Sequence, residues 1–142
     1  EANFETKTSQ FVPPLKYDEI IMASIIEREV FDPTDRRMVA DILSRRLEIG
    51  MRLQVDASLD YYLDKASVDI TRAELEEDNP YNTYVNAGLP PTPISNPSID
   101  SITAVRERIP NNYLFYLSAP DGTTYFAEDF DGHRENRRLY LD

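Results

Sequence analysis

The apolar positions of the chain fall into short periodic stretches separated by hard stops. From Asp18 to Phe31 the run DEIIMASIIEREVF has helical length, contains no glycine or proline, and carries Asp18 where a side-chain cap would start it. Pro33 is placed to stop it. A second helix is expected from about Thr34 to Ile49. Met38, Val39, Ile42, Leu43 and Leu47 recur at helical spacing, Asp41 and Arg45 sit four apart on its wetter side, and Gly50 follows as a C-terminal cap. Met51 to Val55 is short and extended in character, Asp56 is placed to cap a brief helix through Leu63, and Thr71 with Glu74 has the spacing of a capping box.

The next segment breaks the pattern. Asn79 to Pro97 holds five prolines, four asparagines and a glycine, a composition that sustains neither a helix nor a central strand. A long irregular loop inside a small domain is uncommon unless it serves a purpose, so this one is expected to form half of a binding site. Beyond it, Pro97 to Arg108 reads as a helix, Tyr113 to Leu117 and Thr123 to Phe126 as a hairpin turning at Pro120, Asp121 and Gly122, and Asp131 to Leu141 as a closing helix. The fold class is α+β: a single compact domain of several helices with short strands and a C-terminal β-hairpin. Residues 1–16 read as a polar leader or linker and 17–142 as the domain.

Composition narrows the function. The 142 residues carry 26 acidic against 15 basic side chains, a formal charge of −11, which repels phosphate backbones and argues against nucleic acid. The absence of cysteine removes disulfides, thiolate metal sites and cysteine nucleophiles, and a single histidine, His133, removes multi-histidine metal sites, so neither metal nor cofactor is expected. His133 is read as structural. The longest uncharged apolar run, Ile20 to Ile26, is far short of the ~20 residues a membrane span needs.

Three groups of residues carry candidate chemistry. Glu27 has Ile20, Ala23, Ser24, Val30 and Phe31 at helical spacings, so its carboxyl is expected to be poorly solvated and raised in pKa, as a glycosidase acid requires. The alternatives are a structural pairing of Glu27 with an arginine, and Glu29, nearer the helix end, as the acid. Arg52, Gln54 and Asp56 fall on one face of an extended segment, able to bond a sugar or to form a solvated edge. Tyr81, Asn82, Thr83 and Tyr84 combine flat rings with amide and hydroxyl groups, suited equally to stacking on sugars and to packing the loop down.

Four stretches taken in order, ASIIERE at Ala23 to Glu29, GMRLQVD at Gly50 to Asp56, NPYNTYVNAGLPPTPISNP at Asn79 to Pro97 and YLFYL at Tyr113 to Leu117, resemble the YceG-like family of endolytic murein transglycosylases. The resemblance implies a lytic transglycosylase that cuts peptidoglycan strands internally, between MurNAc and GlcNAc, and leaves 1,6-anhydro ends. It implies Glu27 as acid and then base, and Gln54, Asp56, Tyr81, Asn82, Thr83, Tyr84 and Asn96 along the glycan cleft. It further implies a catalytic domain on the outer side of the cytoplasmic membrane, anchored through a segment outside this sequence, with peptidoglycan and cell-wall synthesis proteins as partners. Two other readings of the residues stand beside it: a lysozyme-type hydrolase with Asp56 as second carboxylate, and a non-catalytic glycan-binding or scaffold domain.

Overall fold

The computed structural model describes residues 8–141. Helix α1 spans Tyr17–Glu29, and Ile21, Met22, Ala23, Ile25 and Ile26 in its middle are all but inaccessible to solvent. A helix apolar on nearly every side must be covered on nearly every side, and α1 accordingly forms the centre of the molecule. It packs on α2 (Pro33–Glu48), α3 (Asp56–Leu63) and α5 (Ile99–Arg106), and α5 in turn packs on α2. Val39, Ala40, Leu43, Leu53, Val55, Ile94 and Ala104 complete this core.

Local chemistry sets the ends of these elements, not always as the sequence suggested. Lys16, not Asp18, occupies the cap position of α1, and the helix ends at Glu29 because Val30 turns extended. Pro33, expected to stop α1, lies beyond its end. It opens α2 at the first helical position, where its missing N–H is no loss, with Asp32 accepting from the Asp35 N–H at 3.0 Å. At the other end Gly50, at φ +75°, lets Met51 donate to the Arg46 carbonyl (2.8 Å) and Gly50 to that of Leu47 (3.2 Å). Asp56 is the first residue of α3, not its cap, since the cap position falls on Val55. Its carboxylate is thereby left for other partners. The Thr71 and Glu74 capping box forms as expected and starts the short α4 (Arg72–Glu76), after a 3-10 turn at Ser67–Asp69.

No helix or strand interrupts residues 77–98. The hairpin pairs β1 (Phe115–Ser118) with β2 (Thr124–Ala127), antiparallel, with Phe115 opposite Ala127 and Ser118 opposite Thr124. Helix α6 (Phe130–Tyr140) folds back over the hairpin, Tyr140 stacking on Tyr125 with ring centroids 3.6 Å apart. One buried cation joins the two halves. Arg46 of α2 donates to the Leu53 carbonyl at 2.5 Å and to the Leu114 carbonyl at 2.7 and 3.0 Å, which brings the extended segment and the hairpin to the end of α1. Among the described residues no helix is long and apolar enough to cross a membrane.

Candidate active-site cleft

At the last turn of α1, Glu29 shares a helical face with Met22, Ile25 and Ile26, all three buried. Its carboxylate therefore leaves the core on its apolar side and is met from the other side by the hairpin, where the Tyr116 hydroxyl donates to Oε1 at 2.5 Å. The Ser118 hydroxyl bonds the Glu29 carbonyl at 3.3 Å, fixing the helix end against β1. Burial raises the Glu29 pKa to about 7. The Tyr116 bond and the Arg46 charge pull it down, and the charges of Asp56 and Asp60 push it further up. Burial likewise raises the Tyr116 hydroxyl well above its ordinary value, so it remains a donor.

Glu29 opens into a cleft of about 600 Å³ whose lining includes Arg46, Gln54, Asp56, Tyr84 and Tyr116. The extended segment supplies Gln54 and Asp56. Leu53 and Val55 point into the core and their neighbours out, and Gln54 adopts a left-handed backbone at φ 56°. A non-glycine residue in that region is held by its surroundings; here the Gln54 N–H bonds the Thr83 carbonyl at 3.3 Å, and Thr83 Oγ1 accepts from the Val55 N–H at 3.0 Å. Asp56, free of capping duty, accepts a short hydrogen bond from the Tyr84 hydroxyl. Burial, followed by the bond to Asp56 and that carboxylate's charge, raises the Tyr84 pKa.

The long loop thus divides its labour. Tyr84 reaches the cleft, whereas Asn82 and Thr83 are fully buried beneath it. Asn82 donates to the carbonyls of Leu75 (2.9 Å) and Glu77 (2.8 Å) and accepts from the Tyr84 N–H (3.0 Å), so its side chain is used up in holding the loop. Tyr81 points away from the cleft, stacked on Tyr62 at 5.2 Å and bonded to Thr92 Oγ1 at 2.9 Å. Asn96 is exposed and does not line the cleft. Arg52 bonds the Val85 carbonyl at 2.9 Å. His133, read as structural, stacks on Phe115 at 5.2 Å in the cleft wall. Burial and the charges of Arg137 and Arg46 lower its pKa, keeping the ring neutral.

The expected raised pKa of Glu27 is overturned. Burial does act to raise it, but Glu27 Oε1 accepts from the Ser98 N–H (2.8 Å) and the Ser101 hydroxyl (2.7 Å), Arg36 stands 3.7 Å from Oε2, and together they hold its pKa below the usual range. The greasy neighbours read from α1 alone are answered by polar groups from α5 and α2 that helical spacing does not reveal. Arg36 also bonds the Val30 carbonyl (2.8 Å) and Asp100 (2.8 Å), making a junction of three helices. Glu27 lines none of the cleft around Glu29.

Comparison with known proteins agrees with this architecture. An endolytic murein transglycosylase of Bacillus subtilis (strain 168) is 34% identical over 122 residues, covering 86% of this chain and 34% of that protein. One of Streptococcus pneumoniae (serotype 2, strain D39) is 31% identical over 123 residues, covering 82% of this chain and 22% of that protein. The chain thus spans about a third, or less, of these relatives. The crystal structure of a yceG-like protein from Listeria monocytogenes superposes with a TM-score of 0.78 at 37% identity, over 93% of this chain and 42% of that one. The model of the YceG-like family matches residues 2–139, and with the shared fold this establishes that the chain belongs to the YceG-like family.

Proposed function

We propose that this domain cleaves peptidoglycan strands as an endolytic lytic transglycosylase, with Glu29 rather than Glu27 as its acid and base. The observation that carries the reading is the half-buried Glu29 carboxyl, raised to about 7 and facing an open cleft. A carboxyl with that pKa is protonated in a large fraction of molecules near neutral pH and is also an adequate base once ionised.

In the first step the Glu29 proton passes to the glycosidic oxygen as the bond from C1 to that oxygen breaks, leaving an oxocarbenium-like sugar. In the second, ionised Glu29 takes the proton of the same sugar's C6 hydroxyl as its oxygen bonds C1, closing the 1,6-anhydro ring and restoring the acid. No water is consumed. The Tyr116 hydroxyl steadies Glu29 between the two steps, and Asp56, oriented by Tyr84, offers its negative charge to the oxocarbenium. Gln54 is available to the sugar's hydroxyl or acetamido groups. Asn82 and Thr83 act through the loop they hold, and Tyr81 and Asn96 lie away from the reacting end. The substrate places the reaction on the outer side of the cytoplasmic membrane, among the proteins that build the wall.

Asp56 beside Glu29 also suits a hydrolase with two carboxylates, so the chemistry of the product end decides between the readings. Mass spectrometry of uncrosslinked strands incubated with the chain, with Glu29→Gln and with Glu27→Gln tests this. Anhydro-ended fragments are expected from the unaltered chain and from Glu27→Gln, and none from Glu29→Gln. Reducing ends would indicate a hydrolase, and loss of product only in Glu27→Gln would reverse the assignment.

A further inference from the structure

The cleft is chemically two-sided. Its lining combines the polar Glu29, Gln54, Asp56 and Tyr84 with an aromatic group, Phe115 stacked on His133 at 5.2 Å and edge-on to Phe130, and with Leu141 and the guanidinium-bearing Arg137. On the same helix Arg138 is paired with Glu135 at 2.5 Å, yet Arg137 makes no ion pair among the described residues. In a chain of formal charge −11, Arg137 and Arg46 are the two cations that line this cleft, and Arg46 is already used on the Leu53 and Leu114 carbonyls. With His133 kept neutral by burial and by its cationic neighbours, and Arg46 buried over the Phe115 ring at 5.5 Å, Arg137 is the exposed cation of the cleft lining.

We infer that Arg137 receives a carboxylate carried on the side group of the glycan strand, while the aromatic wall takes the methyl groups beside it; this rests on the proposed reading of the cleft as a peptidoglycan site. Acetylated sugars are neutral, and a guanidinium gains little from them beyond ordinary hydrogen bonds. Every second sugar of peptidoglycan, however, carries a lactyl ether ending in a carboxyl group, either free or amide-linked to a short peptide with carboxylates of its own. A planar guanidinium matches a carboxylate with two parallel hydrogen bonds. The lactyl and alanyl methyl groups of such a substituent suit the Phe115 and Phe130 rings, whose centroids lie 5.9 Å apart.

Binding is the discriminating measurement, since it does not depend on turnover. Fluorescently labelled strands of three kinds would be titrated with Glu29→Gln and with Glu29→Gln carrying Arg137→Gln or Arg137→Lys. The kinds are peptide-bearing strands, strands stripped of peptide by an amidase so that the lactyl carboxylate is free, and stripped strands with that carboxyl converted to a methyl amide. The Arg137 protein is expected to prefer a carboxylate-bearing strand over the amide by roughly three- to tenfold, the range for a partly exposed charged hydrogen bond. Arg137→Gln should erase the preference and Arg137→Lys restore part of it. A preference already present on stripped strands identifies the lactyl group as the source, and one confined to peptide-bearing strands identifies the peptide. Equal affinities for all three kinds, no binding, or a preference that survives Arg137→Gln overturns the inference. If the preference is found but the unaltered chain cuts none of the strands, the catalytic reading fails while the carboxylate site stands.

Discussion

Two glutamates separated by a single residue on α1 have opposite environments, and this difference gives the sharpest residue-scale predictions. Glu29→Gln removes the transferable proton while keeping size and polarity, so product formation should fall by about 10²–10⁴-fold, the usual contribution of a general acid or base, measured as anhydro ends released per unit time. With a pKa of about 7 and a first step that needs the proton, kcat/KM should decline as pH rises above 7; a rate that keeps rising to pH 9 would remove Glu29 as the acid. Glu27→Ala strands the Ser98 N–H, takes the acceptor from the Ser101 hydroxyl and leaves Arg36 with Asp100 as its carboxylate partner, and should cost about 1–3 kcal/mol in urea unfolding. The distinction was partly present in the sequence. Met22, Ile25 and Ile26 behind Glu29 are purely aliphatic, while the face behind Glu27 includes Ala23 and Ser24. What no local pattern contains is the arrival of Tyr116 from the hairpin and of Ser98 and Ser101 from α5, and these partners decide which carboxyl keeps its proton.

At the scale of elements, the loop from Asn79 to Pro97 was recognisable because proline and asparagine forbid regular structure there, and the capping box at Thr71 and the hairpin turn were set by equally local chemistry. Which loop residues face the cleft was not recognisable, because a polar side chain buried under a loop and one exposed on it look alike in sequence. Asn82 is the former. It ties α4 and its exit to the loop and sets the Tyr84 backbone, so Asn82→Ala leaves two carbonyls and an N–H without partners. We expect a loss of about 1–3 kcal/mol in denaturant unfolding together with weakened strand binding, because Tyr84 would no longer be held against Asp56. Asn82→Asp, which keeps the acceptor but not the donors, should restore only part of either effect.

Over the whole molecule, the raised and lowered carboxyls act on stability in opposite senses. Glu19, whose pKa is lowered chiefly by its hydrogen bond to Arg106, and Glu27 stabilise the fold above the unfolded value of 4.5, and that contribution is lost as pH falls through their lower folded values. Glu29 works the other way. Its folded pKa of about 7 lies above 4.5, so the folded state holds the proton more tightly, and stability is intact below 4.5 and declines as pH rises through 7. His133, lowered in the fold, favours folding as pH rises toward its unfolded value, so the net profile combines both slopes. The difference between the unaltered chain and Glu29→Gln isolates one of them, because a glutamine imitates the protonated acid at every pH. The two proteins should unfold at similar urea concentrations at pH 4. Between pH 4.5 and 7 the variant should gain progressively, reaching on the order of 3 kcal/mol at pH 8. A gap of that sign would show that the fold gives up stability at neutral pH to keep a protonated carboxyl in the cleft, as expected of a group retained for chemistry. A gap that is constant with pH would mean that Glu29 is an ordinary solvated carboxylate, and the assignment of the acid would fail with it.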